Sequence, residues 1–230
     1  MVSVSNHASS AFKRRFFTGS LATHAGGSRS SRRNPLTPSH LSMSDLQAGL
    51  DHIRRSPRNE GTVELIVRRP RSGERDVLEE CELDPAEGVV GDRWGMRALS
   101  QPSRWSPSPD TQVNIMNARV IALVAQDKSR WPLAGDQLFV DLDLSAANLP
   151  PGTRLAVGSA VLEVTAEPHT GCKKFVERFG ADATTFVNSS VGRELHLRGI
   201  NARVVQRGVV RVGGLVRKVS FTAHPERVEG

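Results

Sequence analysis

Residues 150–167 read PPGTRLAVGSAVLEVTAE. Two runs rich in Val, Leu and Ala flank Gly158-Ser159, and neither run is long enough for a helix of its own. Two β-prone runs joined by a two-residue Gly-Ser turn form the signature of a tight hairpin. This stretch predicts a β fold, and the chain on either side of it reads consistently with that.

Downstream, residues 171–179 have apolar positions at helical spacing, stopped by Gly180 as a C′ glycine. A further helix is predicted from about Ala183 to Val191. INARVVQRGVVRVGGLVRKV (200–219) predicts two or three short strands with turns at Arg207-Gly208 and Gly213-Gly214. Upstream, DQLFVDLDL (136–144) alternates as a strand does, and NARVIALVAQ (117–126) spaces its apolar residues as a helix capped by Asn117. TQVNI (111–115) predicts a strand, and EGVVGDRWGMRALSQPSRWSPSPD (87–110) a long Gly/Pro/Ser-rich loop, of the kind that in a compact domain is functional or disordered. RDVLEECEL (75–83) and GTVELIVRRP (61–70) predict two strands, the former containing Cys81, and a short helix is predicted near 44–54. No period repeats. The fold class is therefore mostly β with a few helices (α+β), built on a β-barrel core.

The chain has 230 residues, 31 Lys/Arg and 24 Asp/Glu. Its formal charge of +7 suggests an acidic partner until the charge is located. Residues 1–42 hold six basic residues (Lys13, Arg14, Arg15, Arg29, Arg32, Arg33) and no acid, and removing those six leaves 25 basic against 24 acidic residues. A near-neutral body argues against nucleic acid as a partner, because such binding rests on neutralising phosphates. No apolar run is long enough to span a bilayer, so no membrane partner is expected. The Ser-rich, acid-free residues 1–42 predict a disordered basic extension, read as a presequence or as sequence ahead of a true start at Met43. Residues 43–222 are expected to form one domain and 223–230 a disordered tail. The body is expected to be cytoplasmic, with organellar import if residues 1–42 are a presequence.

The two cysteines, Cys81 and Cys172, are too few for a disulfide scaffold or for a cluster held by four thiolates. Cys81 lies in a strand among glutamates and reads as core. Cys172 lies in PHTGCKKF (168–175). With Thr170 as N-cap, Gly171, Cys172 and Lys173 would form the first turn of a helix. Its unpaired N–H groups, with Lys173, Lys174 and His169, would favour thiolate over thiol. Cys172 also falls on the stripe of Phe175, Val176 and Phe179, where a cysteine is often only filler. The pattern leaves both readings open. His169 and Cys172 are also an H-x-x-C pair. A zinc site would need more ligands from His52, His196 or His224, and a Cys–His catalytic pair lacks a recognisable third member.

Several stretches in order carry a resemblance: GVVGDRW (88–94), TQVNIMNAR (111–119), LPPGTRLAVGSAVLEVT (149–165), PHTGCKKFVERFG (168–180) and LRGINARVVQRGVVRVG (197–213). Together, over about residues 60–219, they resemble MOSC domains, named for the C-terminal domain of molybdenum cofactor sulfurase. The chain is similar to the short stand-alone members; the sulfurase's aminotransferase-like, pyridoxal-phosphate-associated half has no counterpart in it. The resemblance implies a barrel-like fold and one essential cysteine, Cys172, which ligates molybdenum of a bound molybdopterin or carries sulfur as a persulfide. It implies a reductase of N-hydroxylated compounds served by a separate electron donor protein and acting on a small-molecule substrate. The alternative is a sulfur carrier loaded by a cysteine desulfurase. His169 joins Cys172 as a catalytic candidate. Asp92 and Arg93 match the family's Gly-Asp-Arg, and Arg198 its later Arg-Gly-Ile; with Lys173 they are candidate cofactor-binding residues. Taken alone, Asp92 also reads as a turn residue, Arg198 as a strand-end ion pair, and Lys173 as an i, i+4 partner of Glu177. Where many members carry Val-Gly-Asp near the C-terminal strand, this chain has Val212-Gly213-Gly214.

Overall fold

The computed structural model describes residues 40–94 and 108–219. The basic extension up to residue 39, most of the long loop (95–107) and the tail from 220 lie outside the described residues, and with them the expectations made for those segments.

Strands β1 (Glu60–Arg68), β5 (Val113–Asn117), β6 (Leu138–Asp141), β7 (Arg154–Val157), β8 (Ala160–Val164), β9 (Ile200–Gln206) and β11 (Leu215–Val219) form one sheet in the order β11-β7-β8-β9-β5-β6-β1, and β1 pairs back onto β11. The sheet therefore closes into a barrel, which removes its edges. Strand β2 (Asp76–Leu78) extends it beyond β1, and β3 (Glu80–Asp84), β4 (Gly88–Val89) and β10 (Gly208–Arg211) make a second, small sheet in the order β10-β3-β4.

The hairpin of residues 150–167 folds as its pattern predicts. β7 and β8 pair antiparallel with Val157 opposite Ala160. Gly158 sits at φ +58, and a Cβ there would lie 2.2 Å from the Val209 carbonyl oxygen, so only glycine fits the turn. These strands alternate buried and half-buried residues, because one face looks outward. By contrast β5 and β6 bury both faces and pair in parallel, the single parallel ladder among the described strands. The crossover between them runs through helix α3 (Ala118–Ala125), with Asn117 accepting from the Arg119 and Val120 N–H groups as the predicted cap. A register shift between Val63 and Leu65 in β1 resets the alternation: Val63 and Ile66 point into the barrel, while Leu65 and Val67 point out to the helices.

Two apolar clusters result. One fills the barrel with residues such as Ile115, Leu138, Val157, Leu162 and Val216. The other lies between the barrel wall and the helices: α1 (Met43–Ala48), α2 (Leu50–Arg54), α3, α4 (Lys173–Phe179), α5 (Ala181–Asn188) and α6 (Ser190–Glu194), with Phe139, Phe175, Phe179 and Phe186 at its centre.

Three expectations are corrected. The strand expected over 75–83 is two, because the chain bends at Glu79 and passes from the barrel (β2 on β1) to the small sheet (β3 on β10). The turn expected at Arg207-Gly208 is likewise a change of sheet, since β9 pairs with β8 and β5 whereas β10 pairs with β3. The long loop contains strand β4 and, at its end, a 3-10 turn over Pro109–Thr111.

Candidate functional site

Residues 165–171 leave β8 and cross the barrel mouth. Asn201 of β9 holds the start of this segment at two points: its carbonyl accepts from the Thr165 N–H at 3.0 Å, and its side chain donates to the Glu167 carbonyl at 3.0 Å. Asn188, the last residue of α5, grips the Gly171 backbone twice, accepting from its N–H (2.9 Å) and donating to its carbonyl (3.2 Å). With both Gly171 groups occupied, the chain stays extended through Thr170 and Gly171, and α4 starts only at Lys173. The expected N-cap at Thr170 is therefore displaced: Cys172 occupies that position at φ −107, ψ 176, its carbonyl accepting from Phe175 and Val176 and its side chain making no capping bond. The stripe is also narrower than its spacing predicts. Phe175 and Phe179 are buried, whereas Cys172 and Val176 are on the open face. Cys172 is thus not core filler. Cys81 is: it is 7% exposed in the barrel cluster, and burial pushes its thiol up to about 12.

Beside this corner lies a polar cleft of about 310 Å³ lined by Arg93, His169 and Thr170 together with Arg69, Trp94, Thr111, Asn114, Pro168 and Asn201. An adjoining cavity of about 270 Å³, with a largely apolar lining from Leu149, Val164, Val187 and Ile200, shares the Pro168–Thr170 wall. Of the candidates, the structure brings Arg93 and His169 into the cleft and places Cys172 two residues past its Thr170 wall. Lys173 and Lys174 are exposed beside the thiol, and Lys173 makes no ion pair with Glu177 among the described residues.

Asp92 and Arg198 lie beneath the cleft rather than in it. The Asp92 carboxylate is fully enclosed and accepts from the Arg69 backbone N–H, from Arg69 Nε and Nη2, and from the Trp94 N–H, all at 2.9–3.0 Å. The Trp94 contact is the Asx turn that its sequence position allows. Arg69 continues to Asn114 Oδ1 at 3.0 Å, and Asn114 donates to Asn201. One polar chain therefore runs under the cleft from Asp92 to the loop before Cys172. Arg198 is 5% exposed; its Nη1 meets both oxygens of the buried Asp136 at 2.8 and 2.9 Å, its Nη2 the Ala134 carbonyl at 3.0 Å, and its guanidinium lies 5.0 Å over the Phe175 ring. The following Gly199, at φ +102, lets β9 approach β5 so closely that a Cβ would lie 2.3 Å from the Ile115 carbonyl oxygen.

His169 Nδ1 lies 3.5 Å from Asp136, too long for a good hydrogen bond, and among the described residues it and Arg198 Nε are buried without a partner. Burial first, then the Arg198 guanidinium, push the imidazole down to about 4, with Asp136 opposing. His169 is therefore neutral at pH 7. Among the described residues no hydrogen bond joins it to Cys172, and no three His, Cys, Asp or Glu side chains converge as a metal site. His196 is spent on the Leu144 carbonyl at 2.7 Å.

Arg69, Asn114, Asp136 and Asn201 were missed from sequence. Asn114 and Asn201 carry a signal, a polar residue inside a strand flanked by apolar ones, as in VNIM (113–116) and INA (200–202); Arg69, between Arg68 and Pro70, and Asp136, between Gly135 and Gln137, carry none.

Residues 103–217 match the model of the MOSC domain family. Among solved structures, the YuaD protein from Bacillus subtilis superposes with a TM-score of 0.51 at 16% identity, over 70% of this chain and 97% of that one. YiiM from Escherichia coli gives 0.42 at 17% identity over 70% of each chain. YiiM from Geobacillus stearothermophilus gives 0.44 at 12% identity over 71% of this chain and 75% of that one. No curated protein sequence matches the chain.

Proposed function

Because this chain belongs to the MOSC domain family, whose members are associated with the molybdenum cofactor, we propose that it binds that cofactor through Cys172 and reduces N-hydroxylated compounds. The observation that carries this reading is the Cys172 thiol: exposed, free of any disulfide among the described residues, and fixed by the Asn188–Gly171 clasp beside a polar cleft. The donor set fits the cofactor. A lone soft sulfur ligand, with no carboxylates or imidazoles converging on it among the described residues, suits a metal that brings its other ligands with it, as a dithiolene-bound molybdenum would.

When bound, the cofactor supplies two-electron redox chemistry. Conversion of R–NHOH to R–NH2 and water consumes two electrons and two protons. Among the described residues nothing resembles an electron-carrying centre, so the electrons are assigned to a separate donor protein. The chain's own residues bind and orient. The neutral His169 imidazole can accept or donate a hydrogen bond in the cleft. Arg93 at the wall offers positive charge to an anionic group, and Lys173 stands exposed next to the thiol. Asn114 and Asn201 hold the cleft floor rigid. Molybdenum and molybdopterin content, measured side by side on wild type and Cys172→Ser, tests the reading; equal metal in both defeats it.

The position of Cys172 outside the cleft lining favours a second reading, a persulfide carrier that meets a cysteine desulfurase directly. Metal-free wild type that accepts sulfane sulfur at Cys172 would select it.

A further inference from the structure

The Pro168–Thr170 wall borders two spaces, and the chemistry proposed above uses only the polar cleft. The second, of about 270 Å³, is enclosed by residues 146–151, the start of β9 and helices α5 and α6. Its apolar walls are Leu149, Val164, Val187 and Ile200, each at most 4% exposed. Small residues, Ala146, Ala166, Gly192 and Gly199, complete the lining and leave the volume open. Most polar side chains around it are already committed. Thr165 Oγ1 donates to the Asp110 carbonyl at 2.7 Å, Asn201 to the Glu167 carbonyl, Asn188 clasps Gly171, and His196 bonds the Leu144 carbonyl. Water held in a cavity needs several polar partners, and these groups have little left to offer it. The exception is His169, which lines both spaces and whose Nδ1 is buried without a partner among the described residues. The charge of the lining is balanced: Glu167 and Arg193, one of each sign, are both exposed.

We propose that this cavity is a binding site for an uncharged, mostly hydrocarbon molecule that offers one hydrogen-bonding group to His169. An apolar cavity of roughly 150 Å³ holds a benzene ring, so about 270 Å³ holds a bicyclic one. An ion would lose its hydration there without meeting an enclosed counter-charge. The occupant lies against Asn188, whose other contact is the Gly171 backbone beside Cys172. It is either the apolar end of an N-hydroxylated substrate or a separate ligand, and the inference rests on the proposed function only in the first case.

Isothermal titration of the full-length protein with 1-naphthol tests the site. Naphthalene, which lacks the hydroxyl, should bind about threefold to tenfold more weakly, and naphthalene-1-sulfonate, which is charged, at least about tenfold more weakly. Ala146→Phe/Ala166→Phe fills the cavity from its exposed wall and should weaken 1-naphthol binding at least about tenfold. Ala147→Phe, on the adjacent exposed residue that lines a different groove, should bind as wild type does. If the double variant disturbs folding, Val187→Thr carries the test: it keeps the shape, places a hydroxyl in the apolar wall, and should weaken binding about threefold to tenfold. N-(1-naphthyl)hydroxylamine that shields Cys172 from iodoacetamide identifies the apolar end of a substrate; binding without shielding identifies a separate ligand. No 1-naphthol binding by wild type, tighter binding of the sulfonate, or unchanged affinity in the cavity variants overturns the site. Cys172→Ser should keep full affinity for 1-naphthol, so failure of the cysteine's role and failure of this site are separable.

Discussion

The two thiols of this chain sit in opposite surroundings. Cys81 lies on β3 between the small sheet and the barrel, with Leu83, Val89 and Val210 in the same apolar cluster. Cys172 stands on a corner in solvent, with lysines after it and a polar cleft behind it. One is held neutral by its neighbours and the other is left reachable, and the difference comes from where each strand or helix begins, not from the cysteine. Neighbourhood decides what a sulfur atom is for.

The sharpest break of this comparison is all-or-none. Cys172→Ser should lose molybdenum or sulfur loading while its circular dichroism and melting curve stay those of wild type, whereas Cys81→Ser should keep loading and melt earlier. Mass spectrometry after brief iodoacetamide treatment of native protein should find the label on Cys172 alone. The charged ground under the cleft comes next. Asp136→Ala leaves Arg198 buried without its counter-ion and should cost about 3–5 kcal/mol in urea unfolding. Alkaline pH then acts on Cys81. Its folded pKa lies above its unfolded 9.0, at about 12, so the stability due to its neutral thiol is complete below pH 9 and is lost as pH rises towards 12. The loss is about 4 kcal/mol by linkage, and Cys81→Ala should flatten that limb of the stability curve. Acid acts on His169 in the opposite direction. Its folded pKa is depressed from 6.5 to about 4, so its contribution is complete above pH 6.5 and is lost as pH falls towards 4. About 3 kcal/mol should go over that window, less in His169→Gln.

Much of the scaffold was legible. The β7–β8 hairpin and the Asn117 cap of α3 follow from local pattern, and β5 and β6 were legible as strands, although the alternation read in DQLFVDLDL gives way to burial on both faces of β6. The bend at Glu79 was read through, although Val77-Leu78-Glu79-Glu80 interrupts the alternation, because the change of sheet is decided by β10, some 130 residues later. Cys172 could be singled out from sequence, but its exposure could not, since that depends on Asn188 reaching back to Gly171. Asp92 and Arg198 drew notice as charged residues in motifs, yet their partners, Arg69 and Asp136, stand far off in the chain and declare themselves only through contact.

The closing ladder has a further consequence. Glu60 of β1 faces Arg217 of β11, so the first and last strands of the barrel are neighbours. During synthesis β1 leaves the ribosome with that flank bare and must wait for nearly the whole domain to follow, on the order of ten seconds at ordinary elongation rates. Throughout that interval the bare flank can recruit a strand from another nascent chain. A chaperone that shields β1 early, or a permuted gene that joins residue 219 to residue 60 and opens the chain elsewhere, would shorten this exposure.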